Sequence, residues 1–295
     1  MGYPARVGLR AGAIAGHMMF FGQKAQMVEG WLGGRTLTLM IDTHSHILPG
    51  LDDGSPDLSH SLRMAEAAAT AGVTTVVCTP HLLEFDVSAI DRAREALEKF
   101  ISELEAGGIA LKLLLGFELD ISVAATASDD ELRLLTVESS QGLLLVEMPH
   151  WGWPAHLRDT IFRLRTSGLT PLLAHPERND RIQRTPGLLG ECLDAGAVAQ
   201  ATAASLDGGF GRASKTAFSR QLSLGNIGVL ASDAHSYRHS SWTVASVVAS
   251  LRRRLSDEDI DILVRVNPER LLAGKSPLPI TAARLSAWRG LAGGL

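Results

Sequence analysis

Cysteine is nearly absent from this chain: Cys78 and Cys192 are the only two in 295 residues. A disulfide-stapled scaffold is thereby excluded, and the count fits a reducing compartment, so a cytoplasmic location is expected. Basic charge is also in short supply, with 28 Lys and Arg against 32 Asp and Glu and a formal net charge of −4. That balance leaves no electrostatic footprint for nucleic acid or anionic lipid. The one basic run, Arg252-Arg253-Arg254, falls on a predicted helix and reads as a solvated face. No apolar stretch reaches the length of a membrane span.

Repeats, low-complexity tracts and Gly-Ser linkers are missing as well, which favours one domain. Residues 11–21, preceded by Arg6 and Arg10, have the outline of a signal peptide, yet His17 interrupts the run and no small-x-small cleavage site follows. Residues 1–39 are therefore read as a disordered or loosely packed extension, with Met40 as the expected start and 40–295 as a single domain. Aromatics make up 5% and hydrophobic residues 45%, enough to bury one large, mainly aliphatic core.

What is present is a recurring pattern. Seven short apolar runs each end in a polar residue, and at six of those ends the polar group is histidine or carboxylate. The densest example is Asp42-Thr43-His44-Ser45-His46, leading into Ile47-Leu48-Pro49-Gly50-Leu51-Asp52-Asp53-Gly54. On a strand, residues two apart point the same way, so His44 and His46 present both imidazoles to one point. Residues 73–78 run into Thr79-Pro80-His81, 111–115 into Gly116-Phe117-Glu118, and 143–146 into Glu147. Residues 172–174 lead to His175-Pro176-Glu177-Arg178, and 227–231 to Ser232-Asp233-Ala234-His235. A lone H-x-H is often a surface pair, but core strands normally continue into Gly, Asn or Ser turns rather than into His and acid. Imidazole and carboxylate without thiolate suit zinc, manganese or iron, and a set this large implies two or three ions.

Between the runs the period changes to helical. Residues 56–71 and 90–104 carry apolar positions at helical spacing, and further helices are expected near 129–136, 155–167, 187–195, 212–223 and 242–255, with helical turns after Asp257. The run 197–201 completes seven strands without an obvious ligand. Alternating strands and helices predict an α/β fold with a parallel sheet, and ligands confined to strand C-termini predict the mouth of a barrel. An open doubly wound sheet uses fewer strand ends at once.

The succession D-x-H-x-H-I-L-P-G-x-D-D-G, T-P-H, G-x-E, V-E, H-P-E-R and S-D-A-H resembles the polymerase-and-histidinol-phosphatase (PHP) superfamily. In particular it resembles the manganese-dependent protein-tyrosine phosphatases of bacterial capsule and exopolysaccharide loci, over residues 40–279. The resemblance implies a distorted seven-stranded (β/α)7 barrel with the metal site at the strand C-terminal mouth. It also implies two or three divalent ions, manganese before iron or zinc. Carried over by position, His44, His46, Glu118 and Asp233 would hold one ion, and Asp53, His81 and His235 a second. Glu118, shared as a bridge, would join Glu147 and His175 around the third. The implied partner is a phosphotyrosine protein, the tail of a polysaccharide-export tyrosine kinase. A small-molecule phosphatase of the histidinol-phosphate type and a non-catalytic, metal-stabilised regulatory module are the alternatives.

Clustered cations activate a water for in-line attack while neutralising phosphate oxygens, so no covalent intermediate is needed and Asp53 and His235 fall within the catalytic set. A cysteine route is excluded by spacing, because the sixth residue after Cys78 is Glu84 and after Cys192 is Val198, where a C-x5-R loop requires arginine. Arg178, three residues past His175, is the expected phosphate clamp. The family's second arginine, five residues after the last histidine, is Ser240 here, and Arg238 is the nearest substitute. The loop Met148-Pro149-His150-Trp151-Gly152-Trp153 departs from the pattern; His150 and Trp151 are candidate substrate contacts, with a hydrophobic plug as the other reading. Asp52 is expected to support a ligand from behind rather than to bind metal.

Overall fold

The structure, a computed structural model, describes residues 39–237, 248 and 250–280. Residues 1–38 of the expected extension, Arg238 and residues 242–247 and 249 of the expected 242–255 helix lie outside the described residues. The described residues all fall in one compact unit.

Nine parallel strands are present among the described residues, in two sheets. The first sheet runs β1 (Met40–Ser45), β2 (Val73–Cys78), β4 (Lys112–Leu115). The second runs β3 (His81–Leu82), β5 (Glu118–Asp120), β6 (Leu143–Glu147), β7 (Thr170–Ala174), β8 (Val198–Thr202), β9 (Ile227–Ala231). The seven apolar runs of the sequence thus appear as nine strands. Two apolar runs resume after a break, at Thr79-Pro80 and at Gly116-Phe117, so that His81 and Glu118 open a second short strand instead of closing the first. Pro80 has no N–H to continue a ladder. A Cβ on Gly116 would stand 3.0 Å from Val77 Cγ1 and 3.1 Å from Val137 Cγ2, so glycine lets the chain pass close to both valines.

The two sheets meet where their ends approach. Ser45 bridges Ala234 in parallel, Asp233 N donates to His44 O at 2.9 Å, and His46 N donates to Ala234 O at 3.0 Å. On the other side Gly116 N donates to Cys78 O at 2.9 Å, and Glu118 N to Pro80 O at 3.1 Å.

Strand residues alternate between two apolar clusters. Leu143 and Leu145, Leu172 and Ala174, and Val198 and Val229 share one, whereas Leu144, Val146, Leu173 and Ala199 join the larger cluster. Both faces of the parallel sheet are therefore buried, as βαβ crossovers require. Helix Val87–Ala106 illustrates the covering layer: Ile90, Ala93, Leu97, Phe100 and Leu104 recur at helical spacing and are buried. Helix Leu58–Thr70 starts two residues after Pro56 because Asp57 caps it, accepting from His60 N at 2.8 Å.

Candidate metal centre

Register brings the acids together. His81 stands beside Glu118, and Glu118 beside Leu145, two residues before Glu147. In-register neighbours on parallel strands face the same way, so His81, Glu118 and Glu147 share the face of Leu143 and Leu145. His44, His46 and Asp233 reach the same point across the β1–β9 closure.

Four donor atoms converge there. His44 Nε2 lies 3.1 Å from His46 Nε2, 3.1 Å from Glu118 Oε2 and 3.4 Å from Asp233 Oδ1. His46 Nε2 lies 3.2 Å from the same Glu118 oxygen and 3.5 Å from Asp233 Oδ1. His44, His46 and Glu118 each place a ligand atom within 4.8 Å of the others, a set of imidazole and carboxylate donors of the kind a divalent cation takes. Glu118 is 1% exposed, and its Oε2 stands 3.2 Å from His81 Nδ1 as well. Burial opposes ionisation of Glu118, but the charge of His44 and hydrogen bonds from His175 and His44 outweigh it and hold the carboxyl well below the usual range. Asp233 is likewise held low against burial, by the charge of His44 and its bond to His46. Burial opposes charging of His46 too, yet its hydrogen bonds to Asp233, Asp52 and Glu118 raise its pKa well above the ordinary value. The pocket draws positive charge to its centre, and this donor set fits a divalent cation.

Two flanking groups adjoin the cage. Asp53 Oδ1 lies 3.5 Å from His81 Nε2 and 3.4 Å from His235 Nε2, and the His235 ring stacks on His46 at 4.0 Å between centroids. On the other side His175 Nε2 pairs with Glu118 Oε1 at 2.8 Å, and Glu147 Oε2 is 3.9 Å from His81 Nδ1. Burial and the neighbouring charge of Glu118 raise the Glu147 pKa. All nine predicted ligands are thus gathered into one connected site.

The backbone around them is constrained. Among the described residues, Ser139, His175 and Asp233 alone are non-glycine residues with positive φ, and the latter two are candidate ligands at φ 35° and 53°. Such conformations persist where the surroundings impose them. For Asp233 the clamp is Asp42, fully buried, whose Oδ1 accepts from Ser232 N at 2.9 Å while its other oxygen accepts from Ser232 Oγ. Asp52 accepts from His46 Nδ1 at 2.7 Å, which turns Nε2 toward the cage.

Sequence reasoning missed Gln200. It sits on β8 in register with Ala174, which is itself in register with Glu147, so it faces the site, fully buried. Its amide lies 3.3 Å from His44 Nδ1, and its Oε1 has no partner within the chain. When His44 Nε2 binds a cation, Nδ1 carries the proton, and the amide turned over would accept it. The signal was available as a lone amide at the same parity as Val198. Gln200→Leu is expected to weaken metal binding about 10- to 100-fold with the fold intact, measured by competition against a chelator.

Arg178 donates from Nη1 to Asp233 Oδ2 at 2.7 Å and stacks over the Phe210 ring at 4.1 Å. Its neighbour Glu177 is no partner: buried, it accepts from Thr202 N at 3.0 Å and Ser205 Oγ at 2.7 Å. Burial and the charges of Arg178 and His175 push the His150 pKa down to about 4, so near neutral pH it offers a lone pair and is a poor proton donor. Trp151 is 80% exposed while Trp153 packs against the core, so the plug reading describes Trp153. Burial raises both cysteine pKa values, that of Cys192 to about 12, and neither thiol adjoins the cage.

Residues 40–273 match the family model described as capsular polysaccharide synthesis, CpsB/CapC. The chain belongs to the CpsB/CapC family. Among CpsB/CapC relatives, the tyrosine-protein phosphatase YwqE of Bacillus subtilis is 32% identical, over 83% of this chain and 98% of that protein. CapC of Staphylococcus aureus is 27% identical, over 85% of this chain and all of that protein. A solved chain from the metal-dependent tyrosine phosphatases YwqE of B. subtilis and CpsB of Streptococcus pneumoniae superposes with a TM-score of 0.72. It is 29% identical, and the match covers 81% of this chain and 97% of that one. The CpsB/CapC fold therefore spans the described α/β unit. Among the described residues no helix is long and apolar enough to cross a membrane.

Proposed function

We propose that this chain is a metal-dependent protein-tyrosine phosphatase that acts in the cytoplasm on the phosphotyrosine-bearing tail of a polysaccharide-export tyrosine kinase. The convergence of His44, His46, Glu118 and Asp233 on one centre, with Arg178 beside it, is the observation that carries this reading. The family membership and the activity named for the YwqE relative support the substrate class. The strands are read as one distorted seven-stranded barrel of the PHP type, in which β2 with β3 and β4 with β5 each count once.

His44, His46, Glu118 and Asp233 would hold one ion, Asp53, His81 and His235 a second, and Glu118, Glu147 and His175 a third, with manganese the first choice. Bound divalent cations supply an ionised water near neutral pH and neutralise phosphate oxygens. The chain's own part is orientation. Asp42 and Ser232 hold Asp233 in its left-handed turn, Asp52 aims His46, and Arg178, steadied by Phe210 and Asp233, has further N–H donors for two phosphate oxygens.

Arg178→Ala is expected to lower kcat/KM by about 10²- to 10³-fold, as loss of a transition-state donor does, while metal content stays unchanged. Arg178→Lys restores little, because an ammonium lacks the planar pair of donors. The substrate assignment is tested with a phosphotyrosine peptide beside histidinol phosphate, both in manganese. Preferential release from the peptide is the expected result; preferential release from histidinol phosphate overturns it.

A further inference from the structure

We propose that His150 is a metal ligand, joining Glu147 and His175 around the ion on that side of the site. This rests on the reading that the cluster holds cations, and it adds a residue from the loop in which the chain departs from the motif pattern.

One ligand atom each from Glu147, His150 and His175 lies within 4.8 Å of the others. The imidazole rings of His150 and His175 stand 5.5 Å apart and tilted, without stacking. His150 Nε2 is buried and has no hydrogen-bond partner within the chain. An unsatisfied imidazole nitrogen beside a carboxylate is costly unless an electron-pair acceptor meets it. A cation held by Glu147 and His175 meets it.

The loop is built to hold His150 still. Its carbonyl accepts from Asp180 N at 2.9 Å, and the flanking carbonyls of Pro149 and Gly152 accept from Asn179 Nδ2 at 2.6 and 3.0 Å. Asp180 Oδ1 also accepts from Gly152 N at 2.8 Å. Asn179 and Asp180 directly follow Arg178, so this strap ties the 149–152 loop to the segment that carries the arginine. A solvent-facing histidine needs no such restraint; a ligand does.

The test needs no turnover. Metal-free wild-type chain and His150→Ala are titrated with Zn²⁺ by calorimetry, with far-ultraviolet circular dichroism as the fold control and His150→Gln as a variant of similar size. One binding step is expected to weaken at least tenfold in both variants while the others stay put. Independently, His150→Cys loaded with Co²⁺ is expected to gain a thiolate-to-cobalt charge-transfer band that wild type lacks, since Cys78 and Cys192 are buried away from the cluster. Unchanged binding steps in both variants together with no charge-transfer band overturn the role of His150 and leave the cage standing. No Zn²⁺ uptake by wild type overturns the cation reading itself.

Discussion

Replacing His44 by alanine is expected to take phosphotyrosine hydrolysis to the background rate and to empty the site of metal in the same step. His44 Nε2 lies within 3.4 Å of three other donor atoms of the cage, and its residue is fully buried, so nothing else can move in to replace it. Its loss also leaves Glu118 and Asp233 as buried carboxylates with one fewer positive neighbour, because His44 is a major source of the charge that keeps each ionised. The fall should exceed the ~10²–10³-fold that removal of a single transition-state donor costs. Elemental analysis after gel filtration beside a phosphate-release assay reads both effects. A variant that keeps its metal and turns over would contradict the ligand assignment.

Gly54→Ala is the second large effect, at a residue that binds nothing. A Cβ there would lie 2.2 Å from His46 O and 2.3 Å from His46 Cβ, both fixed parts of β1's continuation. The loop must back away, and with it go Asp52, which orients His46, and Asp53, which sits 3.4 Å from His235 and 3.5 Å from His81. A shift of about 1 Å in a reacting constellation costs on the order of 10²-fold. Loss of this size in kcat/KM is expected with a near-native circular dichroism spectrum and weakened metal retention. Activity within a few-fold of wild type would show that the D-D-G turn does not set the site.

Both effects fall on residues whose importance the sequence displays unequally. The ligands were legible because strand ends are short-range features: an apolar run followed by His or acid predicts its own direction, as with His44, His46 and Glu147. The breaks at Thr79-Pro80 and Gly116-Phe117 were not, because whether a run resumes after a Pro or Gly depends on which neighbour receives its N–H, here Ser45 O for Thr79 and Pro80 O for Glu118. Gln200 was passed over because its value lies in register with Ala174, a tertiary fact. Asp42 stood in plain view within the first motif, yet its task is to clamp Ser232, 190 residues away. The left-handed turns at His175 and Asp233 leave only a faint mark in residue type, since His and Asp are enriched at positive φ without requiring it.

The most direct measurement is phosphate release from a phosphotyrosine peptide by the purified chain in manganese, after chelation, and after manganese is restored. The account predicts turnover, its loss on chelation and its return on reloading. Turnover that survives chelation with the metal demonstrably gone, or none from the fully loaded chain, would contradict it.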